Sequence, residues 1–357
     1  MDSKDAPQMI EHLRKSVCFT PHDTKWIPHS AKFVSCGISP GGKGVLTVNE
    51  LSRDELKTTL ECNDLLPHGI KCATFGASRI GDRKVAIGDY SGRLSMFDLE
   101  KCSVAKGKEY PTQVFSAQAH TGLINCIDGI GGTSVGNGAP ELVTGGRDGI
   151  ARVWDPRVDY PVVSFEPDSG SANRDCWTVA FGNSNNDQER CIVAGYDNGD
   201  VKLLDLRTNS IRWEYNCSNG VTCAEFDRKE IEMNKLVVTT LESTFQCYDM
   251  RTQHPKDGFS SLKEAAHRST IWLGRHLPQN REIFMTGGGN GGFNLYKYHY
   301  PINRVRKNPE DGRPVGKMGE VELLNSRVIS TQPVTSFDWS PDRAGLCCLS
   351  CLDQILR

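Results

Sequence analysis

Short strings in this 357-residue chain carry the residue types of familiar chemical sites. GISPGGKG (37–44) fits the G-x4-G-K spacing of a loop whose backbone N–H groups and lysine cradle nucleotide phosphates. Gly44, however, stands where a Ser or Thr hydroxyl would hold magnesium, and a strand-like run, VLTVNEL (45–51), follows where a helix should begin. A hairpin loop is the better reading. GGGNGG (287–292) has the glycine density of a dinucleotide loop but joins two strand-like runs with no helix after it. Cys348 and Cys351 form one CxxC with no second ligand pair, and on a strand their side chains point to opposite faces. The nine histidines show no metal-ligand spacing, so neither metal nor cofactor is expected. His120 and Asp148 suggest a general-base pair for a nearby serine, but a repeat explains them better. No enzyme activity is expected.

That repeat is a short apolar strand, small residues, an Asp- or Asn-containing turn, a second strand, and then an aromatic or Leu followed by Asp. It occurs as VAIGDYSGRLSMFDLE (85–100), LVTGGRDGIARVWDPR (142–157) and IVAGYDNGDVKLLDLR (192–207). Weaker copies are LVVTTLESTFQCYDMR (236–251) and IFMTGGGNGGFNLYKY (283–298). The closing Asp falls at 98, 155, 205 and 249, with Lys297 next in that slot, spacings that bracket a WD-repeat blade. Each copy reads as a hairpin of alternating strands around a Gly/Asp/Asn turn. An inner strand precedes it (IKCATFG, LINCIDG, DCWTVAFG, GVTCAEF, STIWLGRHLP) and an outer strand follows it. Four strands per unit cannot bury both sheet faces alone, whereas a radial arrangement packs each sheet on its neighbours.

The expected fold is therefore all-β, one domain forming a seven-bladed WD-repeat β-propeller. The blades are placed at about 23–66, 67–118, 119–172, 173–217, 218–266, 267–332 and 333–357. The last stops within its third strand and is expected to be closed, weakly, by an N-terminal strand at 7–15. Blade three holds the full set of repeat positions, His120, Thr144, Asp148 and Trp154, expected to form a hydrogen-bond chain that satisfies the buried indole and imidazole. His267 repeats the His in blade six, without the Asp.

Composition narrows the function. Forty-two basic against 44 acidic residues give a net charge of −2, which offers no phosphate-binding footprint, so nucleic acid is not an expected partner. No apolar run approaches a membrane span, and residues 1–20 are charged throughout, without the apolar core of a secretory leader. Fourteen cysteines, many inside apolar strand-like runs, fit a reduced, intracellular setting, where they act as small hydrophobes and the sequon at Asn216 stays idle.

Binding is expected through loops on two faces. The face carrying the hairpin turns and the loops entering the inner strands is the expected peptide platform, with Tyr90, Arg147, Arg174, Trp177, Tyr196 and Trp272 near it. For Trp177 and Trp272, packing between blades is the competing expectation. Insertions collect on the opposite face, at 129–140, 182–190, 227–234 and, longest, 300–320, which brings Arg304, Arg306, Lys307 and Arg313 and is expected to be mobile. Deleting 303–319 is expected to weaken one partner and spare the fold.

GAPELVTGGRDG, WDPR, RDCWTVAFGN, AGYDNGD, EFDRK, DMRTQHP, RHLPQNRE and STQPVTSFDWSPD, spread from about residue 25 to 350, resemble the Monad-type WD-repeat family, described as cytoplasmic assembly factors for axonemal dyneins. The chain departs from it in ending short of the family's last strand. The resemblance implies a non-catalytic adaptor of ciliated or flagellated cells. Its implied partners are a heat-shock-90 co-chaperone complex (pontin, reptin, a TPR adaptor and a prefoldin-like module) and, as clients, dynein heavy chains. A monomeric ring is expected. The rival reading is a substrate receptor of a cullin-4 ubiquitin ligase, since Trp154, Asp155 and Arg157 match its W-D-x-R docking box.

Overall fold

The inner strands carry one irregularity seven times over. In each, the pairing with the second strand skips one residue near the start: His22, Lys71, Asn125, Trp177, Thr222, Trp272 and Thr335. A bulge of this kind bends and twists the strand locally and re-aims the skipped side chain. In a computed structural model describing residues 7–63, 66–105, 108–131, 141–167, 174–186 and 188–357, those strands line the axis of seven four-stranded antiparallel sheets, a seven-bladed β-propeller. Among the described residues the only helical element is one 3-10 turn, Ile80–Asp82.

Strand order within each of the first six blades follows the sequence. Blade three shows the plan: Ile124–Ile130, Glu141–Gly146, Ala151–Trp154 and Pro161–Phe165, from axis to rim. The second strands are fully or almost fully buried, as in Cys191–Tyr196 and Lys235–Thr240, because neighbouring blades cover both their faces. Outer strands alternate, as in Pro161–Phe165, with one side to solvent. The core is thus a set of apolar layers between adjacent blades rather than one centre. Gly145 shows how tight these layers are: a Cβ there would lie 2.6 Å from the Sγ atoms of both Cys126 and Cys176. The CxxC cysteines fall in different layers, Cys348 with Trp26 and Phe33 of blade one, Cys351 with Leu273 and Phe293 of blade six.

Blade seven closes the ring with strands from both ends of the chain. Lys15–Ser16 pairs with Ile355–Leu356, which leads inward to Cys347–Cys351 and Val334–Trp339. The closing strand is not the expected 7–15 but Lys15–Ser16, which overlaps it only at Lys15. Residues 7–14 instead run on without strand pairing. Asn325 Nδ2 donates to Pro7 O at 2.6 Å, Arg327 to Met9 O, and Arg357 forms an ion pair with Glu11 at 3.0 Å. Together with Phe293, Phe337, Trp339 and Leu349 this segment walls an apolar cavity of about 230 Å³.

Candidate protein-binding site

Both faces of the ring are built from the inner strands outward. Three inner-strand side chains immediately after the skipped residue accept a hydrogen bond from the backbone of the next blade: Asp23 Oδ2 from Ala73 N (2.8 Å), Thr178 Oγ1 from Ala224 N (3.0 Å) and Ser336 Oγ from Thr24 N (3.0 Å). Two residues further on, three carboxylates do the same: Asp128 from Phe181 N (2.9 Å), Glu225 from His276 N (2.7 Å) and Asp338 from Trp26 N (2.8 Å). These residues stitch the blades together around the axis, and the repeat pattern alone did not single them out. The signal was the recurring acid in LINCIDG, GVTCAEF and VTSFDW. Lys25 and Arg275 neutralise this wall, through Asp23 at 2.9 Å and Glu225 at 2.7 Å. Removal from water pushes the Asp338 carboxyl up to about 6, whereas at Glu225 the same effect is outweighed by Arg275 and His276, which hold it at about 2.

The start of each inner strand pairs with the end of the second, so the bulge residues and the hairpin turns share one face. Two bulge side chains bridge to the next blade: Asn125 Nδ2 donates to Cys176 O (3.1 Å) and Thr222 Oγ1 to Ile271 O (2.5 Å). Trp272 is 43% exposed, and Trp177 is half-buried against Gly220. Arg147 and Arg174 are exposed at this face, as is Tyr90, whose hydroxyl lies 3.0 Å from His22 Nε2. Burial and Lys71 lower the His22 imidazole to about 4. Tyr196 does not belong with them. At 9% exposure it packs with Cys176, Val179 and Phe181 between blades three and four, and its position after Gly195 gave no hint of that.

In blade three the indole of Trp154, 1% exposed, donates to Thr144 Oγ1 (2.9 Å), which lies 2.8 Å from His120 Nε2, and His120 Nδ1 lies 2.8 Å from Asp148. With Thr144 accepting from the indole and donating to Nε2, Nδ1 carries the proton that is donated to Asp148, whose carboxylate also accepts from Thr121 N, Ile150 N and Arg152. At Asp148 burial acts upward, but His120 and two backbone N–H groups bring the carboxyl down to about 2. No serine nucleophile enters this chain. In blade six His267 Nε2 reaches Thr286 Oγ1 at 2.8 Å, but Asn290 takes the Asp position and Tyr296 the Trp position.

The W-D-x-R string also has local work. Asp155 accepts from the backbone N of Arg157 (3.0 Å) and holds its guanidinium at 2.5 Å. Asp98, Asp205 and Asp249 each accept a backbone N–H two residues on, from Glu100, Arg207 and Arg251. The aspartate thus closes a turn at the end of the third strand in blades three and four, and marks a break in pairing inside the longer third strands, Arg93–Ala105 and Thr244–His254, of blades two and five.

The opposite, lower face is more ordered than expected. Loop 227–234 crosses it as a strut, with Lys229 Nζ 2.6 Å from Asp128 of blade three and Arg228 donating to Pro278 O of blade six (2.8 Å). Insertion 300–320 is not a loose loop either. It forms the hairpin Val305–Lys307/Pro314–Gly316, fixed to blade five by Arg304–Asp249 (2.8 Å), His254–Asp311 (2.9 Å) and Ser260 Oγ to Gly316 O (2.6 Å). The polar groups of blade five require these partners. Asp249 is 2% and His254 1% exposed, so deleting 303–319 would orphan buried groups rather than spare the fold. Arg304 is accordingly an anchor, while Arg306, Lys307 and Arg313 are exposed. Most of the expected insertion 129–140 lies outside the described residues, as does Asp187 within 182–190.

No family model matches the chain. Curated proteins do. It is 53% identical over 354 residues to dynein axonemal assembly factor 10 of Xenopus laevis, covering 99% of this chain and 96% of that one. It is 51% identical to dynein axonemal assembly factor 10 of Homo sapiens and of Chlamydomonas reinhardtii, covering 100% of this chain and 97% of each of those. The chain belongs to the dynein axonemal assembly factor 10 family. As a member of that family it is a WD-repeat propeller, and the similarity spans the whole chain.

Proposed function

We propose that this protein is a non-catalytic scaffold for the cytoplasmic preassembly of axonemal dyneins in ciliated or flagellated cells. It would link a heat-shock-90 co-chaperone complex of pontin, reptin, a TPR adaptor and a prefoldin-like module to dynein heavy chains. The observation that carries this reading is whole-chain identity of 51% with assembly factors of organisms as distant as human and Chlamydomonas. The ring suits the task, since His120 and Asp148, the pair with catalytic chemistry, are committed to the hydrogen-bond chain inside blade three. The face with Tyr90, Arg147, Arg174, Trp177 and Trp272 serves as one docking surface, and the hairpin with Arg306, Lys307 and Arg313 as a second. Affinity purification from ciliated cells should recover pontin, reptin and dynein heavy chains. Recovery of cullin-4 with its propeller linker, and no chaperone subunit, would overturn the reading in favour of a ligase receptor. Arg157→Ala separates the two as well: loss of cullin-4 recruitment belongs to the receptor, retention of every partner to the adaptor.

A further inference from the structure

The lower-face corner over blades five and six is built more firmly than a connection requires. Three polar anchors hold the inserted hairpin, and Asn234 of the strut joins it to Tyr300 (3.4 Å) and Arg304 (3.2 Å). On this fixed base Ile302 is fully exposed, Val305 is half-exposed, and Ile231 of the strut is 41% exposed. Isolated exposed apolar residues mean little, but Ile302 and Val305 stand three residues apart on the insertion, and Ile231 stands three residues before the Asn234 that ties the strut to it.

The charges there are unequal in a specific way. The carboxylates of the corner are already engaged within it: Asp249 with Arg304, Asp311 with His254, Glu310 with Lys256, Glu232 with Arg251, and Glu230 with Arg228. Arg306, Lys307 and Lys317 are exposed and, among the described residues, have no ion pair; Glu320 is the one carboxylate of 300–320 in the same condition. Cations held on a rigid base beside apolar side chains recognise anions that carry apolar neighbours, and the fixed base lowers the ordering cost of binding.

We propose that this corner docks an acidic segment of a partner protein, with leucine-like side chains set on Ile302 and Val305 and carboxylates on Arg306, Lys307 and Lys317. The proposal rests on the scaffold reading and names the partner chemistry of its second surface. A nucleic acid fits less well, because it would place phosphates against the isoleucines and the chain as a whole carries a charge of −2.

The test is fluorescence anisotropy of the full chain with a labelled acidic peptide, EELLEDLLEE. Binding should weaken about tenfold or more in Arg306→Glu/Lys307→Glu/Lys317→Glu, and similarly in Ile302→Asp, with the melting temperature unchanged. It should survive Arg306→Lys/Lys307→Arg/Lys317→Arg and fall with added salt. Binding of the peptide by the charge-reversed protein as tightly as by the wild type would overturn the proposal, as would tighter binding of a DNA duplex at the same salt. The peptide assay contains no chaperone subunit, so its failure is separate from a failure to copurify pontin and reptin.

Discussion

Blades three and six begin from the same histidine and hydroxyl and are held in different ways. In blade three His120 and Thr144 continue to Trp154 on one side and, on the other, to the Asp148 carboxylate, which Arg152 approaches at 3.3 Å. In blade six the chain stops at His267 and Thr286, and burial lowers that imidazole to about 4. A charge network ties blade six to blade five instead: Asp227 of blade five meets Lys235 of the same blade at 3.5 Å and Arg281 of blade six at 2.8 Å, Lys235 reaches Tyr300 at 3.1 Å, and Tyr300 leads into the inserted hairpin. A blade that lacks the repeat network can thus be fixed by ion pairs that also carry an elaboration. Blade three adds ion pairs to its network rather than replacing it by them: Arg152 meets Asp148 at 3.3 Å and Lys229 meets Asp128 at 2.6 Å.

Mutations can break or sharpen that contrast. The largest effect should come from Asp227→Ala, which strands Lys235 at 1% exposure and should cost about 3–5 kcal/mol in chemical denaturation. Next is Thr144→Val, which takes the partner from both Trp154 and His120 and should cost about 2–3 kcal/mol; equal stability of variant and wild type would show that the chain carries no weight. Thr286→Val removes a partner from His267 alone and should cost about 1 kcal/mol, clearly less than its blade-three counterpart. The pH response should divide in the same way. Asp148 and Glu225 sit at about 2 in the folded state, below their values of about 4 in an unfolded chain, so the stability they supply is present above pH 4 and is lost as pH falls toward 2. Asp338, raised to about 6, has the opposite sign and stabilises progressively as pH falls through 6. Melting curves of Asp148→Asn and Asp338→Asn against wild type should show these slopes disappear one at a time. The smallest effect is a gain: Asn290→Asp supplies the missing acceptor in blade six, so NMR titration should find the His267 imidazole above 4, with at most about 1 kcal/mol of added stability.

The ring itself was legible because a blade must write its own turns. The aspartates at 98, 155, 205 and 249 and the Gly/Asn turns recur at blade spacing, and the four blade-three residues occupy repeat positions. What lay hidden depends on other blades. Tyr196 reads as a turn residue until blade three is packed against it, and Lys229 reads as one charge in a polar loop until Asp128, 101 residues away, meets it. The insertion reads as loose because Asp249 and His254, which order it, lie some 50 residues upstream. The closing strand was misplaced for a related reason: residues 7–11 are taken by side chains far along the chain, Asn325, Arg327 and Arg357, and strand pairing begins only at Lys15.

The inner-ring stitches have a consequence for how such a chain can change. Asp23, Asp128, Thr178, Glu225, Ser336 and Asp338 all grip the neighbour's main chain, whose N–H groups are the same whatever side chains are attached. Divergence in one blade therefore leaves its neighbour's grip intact, provided proline does not remove the donor. At the five seams held in this way, and away from close approaches such as that of Gly145 to Cys176, a blade can drift without loosening its neighbour's grip, and blade six carries an appendage of some twenty residues.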